Sequence, residues 1–423
     1  MIQRFIPLLL VLLLTTTPFL SWSQTNDTLY LLQPDRVFDG EQMHEGWMVL
    51  VKNDHIEAAG VISHIPKEAK IISLKGCTLC PGFIEGHSHL FLHPYNETTW
   101  DDQVLTESRA ERTARAVNHA KATLLAGFTT VRDLGTEGAQ YDDVGLKTAI
   151  EKGIVPGPHM LVVTRAIVAT GSYGPRSVSP DVDYPKGAAE VANADELEKE
   201  IRIQISKGAD LIKIYADYHW GLGNEAQPTF TAAELTHAVE VTRSSGRYVA
   251  VHASSAEGMR RAIQAGVTTI EHGDDGTPEL FSLMKEKGIA LCPTLAAGDA
   301  VAQYKGWKKG IEEEPDRIRA KRKSFAAALA AGVTICMGGD VGVYPHGDNA
   351  REMEMMVAYG MKPLDVLRSA TSVNADVFGI SDKAGRIKTG LPADIVVVEG
   401  NPASNMAVIR KVRLVMKSGR IYK

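Results

Sequence analysis

Between residues 83 and 340 one pattern recurs: a short run rich in apolar and β-branched residues, in most cases followed by a stretch of helical character. The runs lie at 83–87, 128–133, 160–165, 211–215, 248–252, 267–272, 289–294 and 333–340. Runs of this length bounded by turn residues read as buried strands. Residues 232–245, 255–265 and 317–331 are the clearest helical stretches, and the first two run up to Gly246 and Gly266, a residue type that closes helices by adopting left-handed backbone. Eight strands alternating with helices over about 300 residues predict a (β/α)8 barrel, with a doubly wound parallel sheet as the rival.

The two flanks are different. Residues 29–79 hold short strand-like runs broken by Gly40, Gly46, Asn53-Asp54 and Gly60, and after Phe378-Gly379 helical character stops. Strands resume at 393–399, 412–416 and 419–422. The expected organisation is a barrel over 81–383 and a small β-sandwich assembled from 24–80 and 384–423. Arg4 is the only charge before Asp27, residues 5–20 are almost wholly apolar, and Ser21-Trp22-Ser23-Gln24 follows. That order predicts a signal peptide over residues 1–23 and an exported protein, periplasmic or secreted from a bacterium. The apolar stretch is short of the ~20 residues a span needs, and no cysteine stands at the cleavage point, so no stable membrane anchor is expected. A net charge of -5, from 46 basic and 51 acidic residues, gives no electrostatic reason to expect a nucleic-acid partner. Cys77 and Cys80 have CxxC spacing but no second pair to complete a zinc site, and with Cys292 and Cys336 they read as core thiols.

The chemistry lies in the polar residues of the strands. The first run ends in His87-Ser88-His89, the fourth contains Lys213, the fifth ends in His252, the sixth in His272 and the last in Asp340. In a barrel the C-terminal strand ends converge on one mouth, so residues distant in sequence meet. Alternation turns His87 and His89 to the same side, which suits one metal ion. A lone histidine after an apolar strand is more often a hydrogen-bonded core residue, and the signal lies in their common placement. Lys213, inside an apolar strand, is sharper, because burial favours its neutral amine. The alternative for Lys213 is an ion pair with Asp210 or Asp217.

Pro81-Gly82-Phe83-Ile84-Glu85-Gly86-His87-Ser88-His89-Leu90 resembles the opening motif of the metal-dependent amidohydrolase superfamily. Gly127-Phe128-Thr129-Thr130-Val131-Arg132-Asp133, the strand around Lys213, His252-Ala253, residues 265–273, residues 331–340 and Leu391-Pro392-Ala393-Asp394-Ile395-Val396-Val397 resemble its later segments in order. Tyr215 and Pro345-His346-Gly347-Asp348-Asn349 are similar to the imidazolonepropionase-like branch, which holds Xaa-Pro dipeptidases and carboxypeptidase-like amidases, ochratoxin-cleaving enzymes among them. Where many relatives carry Gly-Gly-His-Gly after the third strand, this chain has Thr170-Gly171-Ser172-Tyr173-Gly174.

The resemblance implies two divalent metal ions, expected to be zinc. His87, His89 and Asp340 would hold one, His252 and His272 the other, with Lys213 bridging as a carbamate. A hydroxide between the ions would attack the amide of a dipeptide, N-acyl amino acid or similar small molecule. Asp340 would move the proton and Tyr215 would donate to the carbonyl oxygen. Tyr215, His346, Asn349, Ser172 and Tyr173 are the candidate substrate contacts, with plain packing an equal alternative for Tyr215 and a supporting or surface role an equal alternative for His346 and Asn349. Arg165, Arg176 and His219 are, from loop position alone, unranked candidates for a cation facing a substrate carboxylate, with a plain surface role as the default for each. A homo-oligomer is the family expectation. The rival functions are a mononuclear deaminase or cyclic-amide hydrolase, and a non-catalytic exported metal-binding protein.

Overall fold

Strand Lys70–Pro81 runs directly into strand Phe83–Ser88 across Gly82, and this joint connects the two parts of the molecule. Only glycine fits there, since a Cβ on Gly82 would lie 2.0 Å from Thr129 Oγ1. The computed structural model describes residues 28–423, Pro180 excepted. The expected signal peptide, residues 1–23, lies outside the described residues.

On one side of the joint the chain ends combine into a single eight-stranded sheet. Its order is Arg420–Ile421, Val412–Lys417, Ile395–Glu399, Lys70–Pro81, Leu29–Phe38, Met48–Lys52 and His55–Gly60, with Met43–Glu45 paired to Leu29–Phe38. The pairing of Leu29–Phe38 with Lys70–Pro81 is parallel and the others are antiparallel. Alternate residues such as Leu32, Val37, Val49, Leu79, Val397 and Met416 form its core, as the two-residue strand period requires. Cys77, Cys80, Cys292 and Cys336 are buried and unbridged, and burial pushes the Cys80 thiol up.

On the other side lies the barrel, a parallel α/β fold. Phe83–Ser88, Phe128–Asp133 and His159–Val162 pair in that order. Ile212–Tyr215, Val249–Ala253, Thr269–His272 and Ala290–Cys292 pair in a second parallel set. The Asp210 N–H joins the two sets by donating to the Val162 carbonyl at 2.7 Å. Short strands Ile167–Ala169 and Ala189–Val191 extend the second set in the long loop after the third strand. The eighth run differs from the expected regular strand. It closes the barrel through two isolated bridges, Leu291 with Ile335 and Ser88 with Val341. The irregularity has a steric cause at Gly338, where a Cβ would stand 2.5 Å from Cys292 Sγ and 2.7 Å from the His87 nitrogen. Closure by this segment excludes an open doubly wound sheet.

Helices pack outside the barrel. Ala256–Ala265 begins under Ser255, whose hydroxyl accepts from the Gly258 N–H, and ends at left-handed Gly266; Asp316–Ala331 ends likewise at Gly332. The apolar layer between barrel and helices includes Ile212, Ile214, Val251, Ile270 and Leu291. Their strand neighbours Lys213, Ala250, His252 and Glu271 therefore fall on the inner side. Among the described residues no helix is long and apolar enough to cross a membrane.

Candidate metal centre and barrel mouth

Extended backbone through Glu85, His87 and His89 sets three polar side chains on one side of the first strand. Glu85 is buried and accepts from the N–H groups of His87 at 3.0 Å and Gly339 at 2.8 Å, and from the Asn349 amide at 2.9 Å. It thereby fastens the first strand to the eighth segment, and burial pushes its carboxyl up to about 7. His87 and His89 point Nε2 toward Asp340, at 3.6 and 3.4 Å. Their Nδ1 atoms are tied elsewhere. That of His87 lies 2.9 Å from Glu271 Oε2, and that of His89 lies 2.9 Å from the Gly135 carbonyl.

Four of the expected groups crowd together from different strands. Ligand atoms of His87, His272 and Asp340 all lie within 4.8 Å of one another. The His252 and His272 ring centroids are 4.5 Å apart, and those of His87 and His272 are 5.1 Å apart. His272 Nδ1 lies 2.8 Å from the Thr294 hydroxyl. His252 has the reverse orientation: its Nε2 lies 3.5 Å from Asp217, which leaves Nδ1 for the centre. His272, Thr294 and Asp340, at the ends of the last three strands, have φ of 73°, 50° and 62°. Left-handed backbone at such residues costs about 1–3 kcal/mol each and persists where the surroundings enforce it.

Burial sets the protonation states. Desolvation pushes His87 down to about 4 and His252 down to about 3, and His272 falls well below its ordinary value. These imidazoles are neutral and able to ligate a cation. For His89 burial acts in the same direction, but the hydrogen bond and charge of Asp340 outweigh it and push the ring up to about 9. Asp340 is held below the usual carboxylate range, the adjacent His87, His89 and Lys213 outweighing its own burial.

Lys213 is fully buried, and its Nζ has no hydrogen-bond partner. Neither alternative ion pair forms. Asp210 pairs with Lys147 at 2.7 Å. Asp217 accepts from Ser254 N–H, Ser255 N–H and the Ser255 hydroxyl, capping the next helix. Burial lowers the Lys213 pKa. A desolvated amine without a hydrogen bond, near the imidazoles of His87, His252 and His272 and the Asp340 carboxylate, fits a lysine able to carry an added ligand group for metal.

The other expected residues divide. The Tyr215 ring stacks on His252 at 4.6 Å and 12°. The Tyr173 hydroxyl donates to Glu137 at 2.6 Å, and the Ser172 hydroxyl is spent on the Ala169 carbonyl at 2.7 Å. Asn349 takes the supporting one of its two expected roles: it is buried, its amide N–H donates to Glu85, and its oxygen accepts from the Gly347 N–H. His346 also turns inward, bonding the Leu92 carbonyl at 3.0 Å and stacking on His119 at 4.3 Å. Arg165 bonds the Ala188 carbonyl and faces Glu200 at 3.7 Å. Arg176 bonds the His219 carbonyl.

Two buried charges escaped the sequence reading. Glu271 and Arg132 pair at 2.8 Å, both completely buried, and Glu271 receives His87 on its other oxygen. Arg132 also donates to the Gly86 carbonyl at 2.7 Å and to the Thr269 hydroxyl at 3.0 Å. A carboxylate behind a ligating histidine fixes its tautomer and orientation. The signal was present: two opposite charges at inward positions of apolar strands. Thr294 and Glu137 had no such signal, since each sits in left-handed backbone just beyond its strand.

The amidohydrolase family model matches residues 78–422. Ochratoxinase of Aspergillus niger is 28% identical over 419 residues, spanning 91% of this chain and 84% of that enzyme. A solved Xaa-Pro dipeptidase with methionine bound in its active site is similar with a TM-score of 0.82 at 31% identity, over 94% of this chain and 100% of that one. A prolidase complexed with N-methylphosphonate-L-proline is similar with a TM-score of 0.81 at 27% identity, over 94% and 100%. Matched across its barrel and its terminal sheet, the chain belongs to the amidohydrolase family and is a hydrolase acting on amide bonds.

Proposed function

We propose that this is an exported hydrolase with two divalent metal ions that cleaves the amide joining an acyl or aminoacyl group to a C-terminal amino acid. The substrate class is an Xaa-Pro or other dipeptide, an N-acyl amino acid, or an ochratoxin-like amide. Likeness to an ochratoxinase and to an Xaa-Pro dipeptidase supports it. The observation that carries the binuclear reading is the partnerless, buried Nζ of Lys213. A neutral amine adds to carbon dioxide, forming an N–C bond and releasing one proton, and the resulting carbamate presents two anionic oxygens. His87, His89 and Asp340 would hold one ion, His252 and His272 the other, with the carbamate shared.

Such ions supply an ionised water near neutral pH and polarise a carbonyl. Asp340, held ionised between His87 and His89, accepts the water's proton and returns it to the leaving amine. Tyr215, fixed against His252, donates to the carbonyl oxygen as charge develops. Glu271 and Arg132 keep His87 oriented throughout.

The test is metal content per chain by elemental mass spectrometry, on protein purified with bicarbonate and without chelator, alongside hydrolysis of Xaa-Pro and N-acyl amino acids. Two ions and hydrolysis are expected, and Lys213→Met should retain at most one ion and hydrolyse nothing. A single ion in the natural protein would instead favour a mononuclear deaminase or cyclic-amide hydrolase. Export rests on residues 1–23 alone and is tested by the mass of the N-terminal peptide recovered from cells. The homo-oligomer is tested by light scattering.

A further inference from the structure

Glu137 gathers the barrel mouth. It follows the second strand, and three aromatic residues, one each from a helix, a loop and another strand, turn toward it. Trp100 Nε1 donates to Oε2 at 3.0 Å, the Tyr173 hydroxyl donates to Oε2 at 2.6 Å, and the Tyr215 hydroxyl donates to Oε1 at 3.4 Å. Oε1 also stands 4.0 Å from His89 Nδ1. A carboxylate offers about four lone-pair sites, enough for all of these. The rings touch as well, with Tyr173 centred 5.0 Å from both Trp100 and Tyr215.

The carboxylate is itself anchored. Glu137 has a φ of 49° and is buried. Buried Arg112 donates to its carbonyl at 2.7 Å, to the Thr136 carbonyl at 2.9 Å and to the Phe91 carbonyl at 3.1 Å. The Tyr215 ring is fixed by its stack on His252, so the remaining freedom is the direction of its O–H. At 3.4 Å the bond to Glu137 is well beyond the usual ~2.7–2.8 Å for a hydroxyl donor. It aims the proton without competing strongly with a better acceptor.

We infer that Glu137 is a positioning residue for hydrolysis, holding the Tyr215 hydroxyl ready to transfer its hydrogen bond to the substrate's carbonyl oxygen. This rests on the amide-hydrolase reading of the site and on Tyr215 as the donor. Glu137→Gln keeps the size but leaves one acceptor oxygen for three donors. It should lower kcat about 10–100-fold, the scale of a misplaced or lost transition-state donor, with KM within about twofold and the circular dichroism unchanged. Because it acts through Tyr215, it should cost less than about twofold when added to Tyr215→Phe. Losses that multiply in the double variant would overturn the inference. So would a KM increase confined to dipeptides with a free amino group and absent from their N-acetylated forms, which would make Glu137 a reader of substrate ammonium. If Glu137→Gln fails to fold, Trp100→Phe removes one donor and keeps a ring. It should give a smaller kcat loss that disappears in the Tyr215→Phe background, and an equal loss in both backgrounds overturns the inference. Failure of the natural protein to hydrolyse any substrate of the panel would instead sink the proposed function itself.

Discussion

The His87 side and the Lys213 side of the barrel interior lie at the same mouth and are built by opposite rules. Around His87 the main polar groups find partners within the protein. Its Nδ1 meets Glu271, Glu271 meets Arg132, and Arg132 meets Gly86 and Thr269. Glu85 likewise takes three donors. Around Lys213 the balance fails: the amine has no hydrogen-bond partner and faces the Tyr215 ring at 5.4 Å. The first arrangement is bonded within the protein, whereas the second leaves room for the added group proposed above. Barrel interiors are ordinarily filled by branched apolar side chains, so each polar residue here has displaced packing, and the completeness of its bonding tells which role it has.

Breaking the closed side should have the largest effect. Glu271→Gln strands a fully buried guanidinium, and removing one partner of a buried pair costs about 3–5 kcal/mol. The urea midpoint of metal-free protein measures it. A loss below about 1 kcal/mol would mean that Arg132 is satisfied by Gly86 and Thr269 and that the pair adds little.

Next comes the outer partner of a single histidine. Thr294→Val removes the hydroxyl 2.8 Å from His272 Nδ1. Loss of such a partner should weaken metal binding at His272 about 10–100-fold, read by competition with a chelator. Metal affinity unchanged from that of the natural protein would show that the Thr294 bond does not orient a ligand.

These two residues also mark how far sequence alone reaches. The barrel, the terminal strands and the inward polar residues His87, His89, Lys213, His252, His272 and Asp340 stand out because each interrupts or ends an apolar run. The bonding behind them does not. Glu271 adjoins His272 and is masked by it, and Thr294 follows a strand only three residues long, Ala290–Cys292. The resemblance of residues 345–349 leaves Asn349 between a substrate contact and a supporting residue, and only the folded segment, which carries its amide to Glu85, decides for the second. The eighth strand reads as regular from Val333, Ile335 and Met337, but Gly338 and Gly339 let the backbone press against its neighbours and lose the ladder.

Asn349→Ala tests that assignment at a smaller scale. Glu85 keeps two of its three donors, so about 1–2 kcal/mol of stability should be lost. KM should stay within about twofold. A tenfold rise in KM with unchanged stability would return Asn349 to the substrate.

The smallest expected change lies on the open side, and it is the most telling. Lys213→Met in metal-free protein exchanges a partnerless buried amine for an apolar chain of similar length. Burial already disfavours the charged amine, and an unbonded polar group in the interior is itself a cost. The urea midpoint should therefore stay level or rise, although hydrolysis is abolished. Gain in stability with loss of function is what a residue kept for an added ligand predicts. A loss of more than about 2 kcal/mol would show that Lys213 has a structural partner in solution, and the contrast with the His87 side would fall with it.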